Sequence, residues 1–203
     1  MKLRRRLRNA FGRAWLSAFR WELVGGAPPV DKAVVVAAPH TSNWDLPFAL
    51  AIAWSLDLDM QWVGKHTLFK KPVWGRFMRS LGGIGVDRRK KNDAVKAIAD
   101  MVKQRDRLLL IVPPEGTRGA ASRWKTGFYW IAVESEVPIV LGFLDYGNKR
   151  GGLGTVLEPS GDIAADFEKL REFYADVKGK HPERQGVVAI GDAAVPTPAQ
   201  KTP

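Results

Sequence analysis

Residues 33–45 read AVVVAAPHTSNWD, and the fold follows from how that stretch is parsed. The run Ala33–Ala38 is apolar without alternation, the pattern of a strand buried on both faces and usual in parallel sheets. Pro39 closes it. A helix is expected over about Trp44–Leu56, with Ser42 or Asn43 as its cap. A buried strand running straight into a helix is how an α/β sheet begins.

Working outward, the same alternation continues toward the C-terminus. Short strands are expected at MQWVG (60–64), IGV (84–86), Arg107–Val112, Pro138–Leu144 and GLGTVLE (152–158). Between them fall a broken helix over 65–83, a helix over Asn92–Gln104 capped by Asn92, and helices over Thr126–Ser135 and Ile163–Val177. The expectation is an α/β fold: a largely parallel or mixed central sheet flanked by helices, preceded by an N-terminal basic amphipathic helix. From Gly179 onward Pro, Ala and polar residues dominate, and residues 179–203 are expected to form a loosely ordered tail.

At 203 residues one domain is the simplest reading. There is no cysteine, which excludes disulfides, thiolate metal sites and a cysteine nucleophile. The net charge of +11 is unevenly spread. Residues 1–40 carry eight Lys/Arg against two acids, and residues 61–125 carry sixteen against five. A field of that kind suits anionic partners: phosphate-bearing substrates, acidic lipid or nucleic acid. No apolar segment reaches the ~18–20 residues needed to cross a bilayer.

Residues 3–21 place Leu3, Leu7, Phe11, Trp15 and Phe19 on one helical stripe with arginines on the other side. Such a helix either docks on its own domain or lies in a lipid headgroup layer, and the excess of bases favours the lipid. Residues 1–24 are therefore expected to be a membrane-surface helix.

The unusual polar clusters, PHTSNWD, VDRRK and PPEGTRG, all fall where strands end, and α/β sheets build their sites beyond the C-terminal ends of strands. Across a strand-to-helix turn His40 and Asp45 can meet. The carboxylate would then fix the imidazole tautomer through Nδ1 and leave Nε2 free as a base. No nucleophile accompanies them, since no Gly-x-Ser-x-Gly elbow occurs and Ser42 is explained as a cap. A base without its own nucleophile acts on a hydroxyl or amine brought by the substrate. From spacing alone, a histidine that caps the helix or satisfies a buried backbone group is an equal alternative. Arg88 and Arg118, beside glycines at strand ends, offer bidentate capture of a phosphate, whereas a surface cation and a local Glu115–Arg118 ion pair are the plain readings.

With these residues in place, the sequence resembles the glycerolipid acyltransferases, the family of lysophosphatidic acid acyltransferase. HTSNWD (40–45) matches the His-x-x-x-x-Asp motif, GGIGVDR places Arg88 in the second block, PEGTR supplies Glu115, Gly116, Thr117 and Arg118, and VPIV (137–140) resembles the start of the fourth. The chain departs where Gly85 replaces a usual aromatic, where Pro113 replaces a usual Phe, and at Leu141–Gly142 in place of a second proline. The resemblance implies an acyltransferase domain over 25–178 and O-acyl transfer from acyl-CoA or acyl carrier protein to a lysophospholipid hydroxyl. It implies His40 and Asp45 as the catalytic pair, phosphate binding by Arg88, Glu115, Gly116, Thr117 and Arg118, and Lys65 as a possible auxiliary cation. No metal or other cofactor is implied, and the expected location is the cytoplasmic face of a membrane. Two other classes remain beside it. A pI near 10.1 with interleaved aromatics fits nucleic-acid binding, though no helix-turn-helix, zinc-finger or RNA-recognition signature occurs. A serine hydrolase would use Ser42. A metal enzyme is disfavoured because His66 and His181 form no ligand set with His40.

Overall fold

The structure is a computed structural model, and it describes residues 2–86 and 91–191. Its centre is a seven-stranded sheet: β1 (Glu22–Val24), β2 (Lys32–Ala38), β3 (Met60–Lys65), β4 (Gly83–Val86), β5 (Leu108–Val112), β6 (Ile139–Asp145) and β7 (Arg150–Leu157), in the spatial order β1-β7-β6-β2-β5-β3-β4. Every pairing is parallel except β6 with β7, so the sheet is mixed. β2 lies between β5 and β6, and Val34 and Val36 are fully buried. An apolar run without alternation is what a strand covered on both faces needs.

The helices are α1 (Lys2–Ala18), α2 (Asp45–Ser55), α3 (Pro72–Ser80), α4 (Lys91–Lys103), α5 (Gly127–Ser135) and α6 (Ile163–Tyr174). The steps β2-α2-β3 and β3-α3-β4 move one way along the sheet, and the steps through α4 and α5 move back. Right-handed crossovers therefore put α2 and α3 on one face and α4 and α5 on the other. The cores agree. Ala53 of α2 and Met78 of α3 share one cluster, while Val102, Phe128 and Leu170 of α4, α5 and α6 share another. Tyr174 at the end of α6 donates to the carbonyls of Gly142 (2.9 Å) and Val36 (3.2 Å), tying that layer to the middle of the sheet.

α1 packs on α2 through Arg5, Asn9, Gly12 and Leu16. The Asn9 amide donates to the carbonyls of Trp54 and Ser55, and Arg5 pairs with Asp57 at 2.8 Å. A Cβ on Gly12 would stand 2.5 Å from the Ala51 carbonyl oxygen, so only glycine permits this approach. The apolar stripe divides: Leu3 and Leu7 are exposed, whereas Phe11 touches Trp54 and Trp15 and Phe19 pack against Phe48 of α2. The helix is thus docked along one side and the C-terminal half of its stripe, while the N-terminal half stays open.

Several expectations differ from what is observed. The Asn92 cap is not the helix start, because α4 already includes Lys91. The broken helix over 65–83 divides into the end of β3, a 3-10 turn at His66–Phe69, and α3. β1 was not expected; three residues carry no periodicity, and its partner β7 is remote in sequence. Residues 179–191, expected to be loose, are tied down. Gly179 N donates to Gln185 Oε1, and Trp124 exchanges backbone bonds with Ala189 and Gly191. Polar composition hid these anchors, which lie in the backbone. Residues 192–203 lie outside the described residues.

Candidate active site

The C-terminal ends of β2, β5, β3 and β4 share one rim of the sheet. β2 delivers Pro39 and His40 there, and the chain turns at once into α2, whose first residue is Asp45. His40 Nδ1 lies 2.9 Å from Asp45 Oδ2. The His40 side chain is 22% exposed and that of Asp45 only 8%, so the ring reaches the surface while the carboxylate beneath it does not.

Asp45 is held from several directions. Oδ2 also accepts from the amides of Thr41 and Ser42, both at 3.0 Å, and Oδ1 accepts from the Tyr146 hydroxyl at 2.8 Å. A carboxylate oxygen that already takes two amide protons acts as acceptor toward the ring, so the proton of the pair sits on Nδ1 and the Nε2 lone pair is free. The helix does not use a side-chain cap. Trp44 occupies the cap position, and the Ser42 hydroxyl instead accepts from the Trp44 amide at 3.2 Å. The expected cap by Ser42 or Asn43 is therefore corrected: Ser42 braces the turn one step earlier.

Tyr146 was missed by sequence reading. It follows β6 and is 101 residues from Asp45. Trp21 and Phe48 pack edge-on against its ring at 4.9 and 5.8 Å. Burial and the Asp45 charge push its hydroxyl well above the ordinary value of 10.0, keeping it a donor. The turn that carries it is organised by the buried Asp145, which accepts from Gly147, Asn148, Arg150 and Lys178. Burial alone would raise the Asp145 carboxyl, but these donors outweigh it and hold it below the ordinary 3.8.

β5 brings the second group. Glu115 is only 2% exposed, and its Oε1 accepts from the His40 amide at 2.9 Å, so the two strand tips are bonded together. Its Oε2 is buried with no donor among the described residues. Burial pushes the carboxyl above its ordinary 4.5, against the lowering effect of the His40 amide. Gly116 takes a φ of +65°, and the Lys125 side chain lies over it, 2.8 Å from where a Cβ would be. Lys125 is a cation that no motif pointed to. Thr117 and Arg118 are exposed on the same loop, and the local Glu115–Arg118 ion pair is not formed. Lys65 ends β3 on the same rim, two strands from β2 and so about 10 Å along the sheet. Arg88 lies outside the described residues. Among the described residues no three metal-binding side chains converge.

Residues 179–191 border this rim. The His181 amide donates to Thr41 Oγ1 at 3.1 Å, Lys180 Nζ stands 4.8 Å over the Trp44 ring, and Gly186 passes beside Glu115.

Comparison with known proteins bears on the fold and the family. The crystal structure of the 1-acyl-sn-glycerophosphate acyltransferase PlsC from Thermotoga maritima superposes with a TM-score of 0.54 at 20% identity, over 85% of this chain and 76% of that one, a likeness of fold. An uncharacterized acyltransferase of Schizosaccharomyces pombe is 27% identical over 160 residues, covering 68% of this chain. The chain spans little more than half of that relative, 56% of its length. The acyltransferase family model matches residues 24–140, a span that holds His40, Asp45, Glu115 and Arg118 and more than half of the sequence; the chain belongs to the acyltransferase family.

Proposed function

We propose that this chain moves a fatty acyl group from an acyl thioester, acyl-CoA or acyl carrier protein, to the hydroxyl of a lysophospholipid such as lysophosphatidic acid. The observation that carries the reading is the His40–Asp45 pair, bonded through the His40 amide to Glu115, on a rim that lies inside the family-matched span.

His40 Nε2 takes the proton of the acceptor hydroxyl as its oxygen attacks the thioester carbonyl carbon. Asp45 holds the ring and balances the imidazolium. The tetrahedral intermediate then collapses, the C–S bond breaks, and the leaving thiolate takes the proton back from His40. No acyl-enzyme forms. Arg88 and Arg118 hold the acceptor's phosphate, with Lys65 and Lys125 adding positive charge. Glu115 Oε2, buried and without a donor, is the acceptor for a substrate hydroxyl. Positioning of two bound substrates supplies much of the acceleration. The stripe of α1 within residues 1–22 rests on an anionic membrane surface, on the cytoplasmic face, where lyso-lipids are met.

The test offers purified enzyme a panel of lyso-acceptors with both donor types, read by mass spectrometry. His40→Ala should cut turnover by about 10²–10⁴-fold with the fold intact. Arg118→Ala should chiefly raise the acceptor KM. Substantial turnover by the His40 variant would remove its role as base. The Ser42 hydroxyl is engaged by the Trp44 amide, so a fluorophosphonate probe should leave it unlabelled.

A further inference from the structure

Among the described residues, every exposed large apolar side chain except Val187 belongs to one face of the molecule. Leu3, Leu7, Phe11 and Phe19 come from α1 and its end, Trp44 from the start of α2, and Val73, Trp74 and Phe77 from α3. The α3 group has no part in the site described above. α3 is held down by Gly75 and Met78, which are buried, and turns Val73 (83% exposed), Trp74 and Phe77 outward. The Trp74 and Phe77 rings lie tilted against each other in one ridge, with centroids 5.7 Å apart. Lys70, Lys71 and Arg76 are exposed around it. From Met60 to Val86 the sequence has five Lys/Arg and no acid, and the α1 segment from Met1 to Trp21 has none either. α1 and α3 also share a cleft, walled by Arg8 and Arg79 and floored by Leu50 and Trp54 of α2.

We infer that α3 is a second lipid contact: Val73, Trp74 and Phe77 insert among the acyl chains of an anionic bilayer while Lys70, Lys71 and Arg76 meet the headgroups. Among the described residues the nearest acids, Asp57 and Asp59, lie on the α1 side and pair with Arg5 and Arg8. An apolar ridge bearing an indole and flanked by Lys70, Lys71 and Arg76 is the chemistry of an interfacial helix. A soluble protein partner would need acidic complementarity around the ridge as well as an apolar pocket, and a bilayer supplies both at once. The inference rests on the reading of α1 as lipid-facing and adds a second, separate point of attachment. Two points fix an orientation where one helix allows swivelling. α3 starts just after the 3-10 turn that follows β3, so its first turn lies at the catalytic rim, and so does Trp44. Attachment through both ends of this face holds the rim at the headgroup layer.

The chain has no cysteine, so single substitutions can carry a nitroxide without background. Leu7→Cys, Val73→Cys and, on the opposite face, Glu172→Cys are labelled in the full chain and bound to phosphatidylglycerol–phosphatidylcholine vesicles. Oxygen and a water-soluble nickel chelate report depth. The labels at 7 and 73 should both move into the oxygen-rich layer, and the label at 172 should stay in water. Trp74→Ser combined with Phe77→Ser should weaken partition onto the same vesicles about tenfold or more, with thermal unfolding unchanged because both side chains are exposed. If position 7 enters lipid while position 73 stays aqueous, α1 alone anchors the protein and the inference falls. If neither enters, the lipid-facing reading of α1 falls with it. If position 73 is shielded without vesicles and the protein sediments as a dimer, the ridge pairs two copies, and the inference is likewise overturned.

Discussion

Asp45 receives four hydrogen bonds, and only one comes from the histidine it orients. Two are local amides, fixed by the turn, while Tyr146 is the one partner brought from a distant strand. Tyr146→Phe keeps the ring packed against Trp21 and Phe48 and removes only the donor. A hydrogen bond to a charged group contributes about 1.5–3 kcal/mol, so kcat should fall about tenfold or more, with acceptor KM unchanged. A change in KM alone would make Tyr146 a packing residue. Glu115 allows a second test. Burial raises its pKa, so the folded state holds the proton more tightly than the unfolded chain does. Stability is then lost as pH rises from 4.5 toward the raised value. Glu115→Gln keeps the acceptor for the His40 amide and lacks that loss, so its melting temperature should gain on wild type as pH climbs. A difference that stays constant with pH would show that Glu115 ionisation does not oppose folding. The His40–Asp45 contact was legible because five residues span one strand-to-helix turn. Tyr146 and Lys125 were not, because their neighbours are set by the sheet and not by spacing.

The elements were legible in proportion to their length and regularity. β2 and β5 are unbroken apolar runs, and α2 and α5 follow them at helical length. Where several weak signals met, boundaries failed, as between Lys65 and Gly83, where Pro72 begins a helix that the preceding 3-10 turn does not continue. For α1 the stripe was legible but the docking side was not. Its closest approach is made at Asn9 and Gly12, a polar residue and a residue with no side chain, and neither registers as apolar periodicity. Gly12→Val should therefore be costly in a helix that otherwise looks tolerant. The Ala51 carbonyl and Ser55 leave no room for the new side chain, and such overpacking costs about 1–3 kcal/mol. Thermal unfolding together with proteolysis at Arg13 would measure it. An unchanged melting temperature would mean that α1 is not seated on α2 as described.

At the scale of the molecule, one rim holds the chemistry, one face holds the apolar ridges, and the opposite face is closed by α4, α5 and α6. The division follows from strand order: steps in one direction built the α2–α3 layer, and steps back built the other. The same order governs how the chain comes into being. Val34 of β2 pairs with Leu110 on one side and Ile139 on the other, and with nothing nearer in sequence. At the ~5–20 residues per second of synthesis, this apolar strand waits on the order of ten seconds for its second neighbour. Refolding from denaturant should accordingly be slow and concentration-sensitive, with aggregation suppressed by a holdase, and stopped-flow recovery within milliseconds would contradict this. The strand that seats the histidine is thus also the one most exposed to misassembly before the protein is complete.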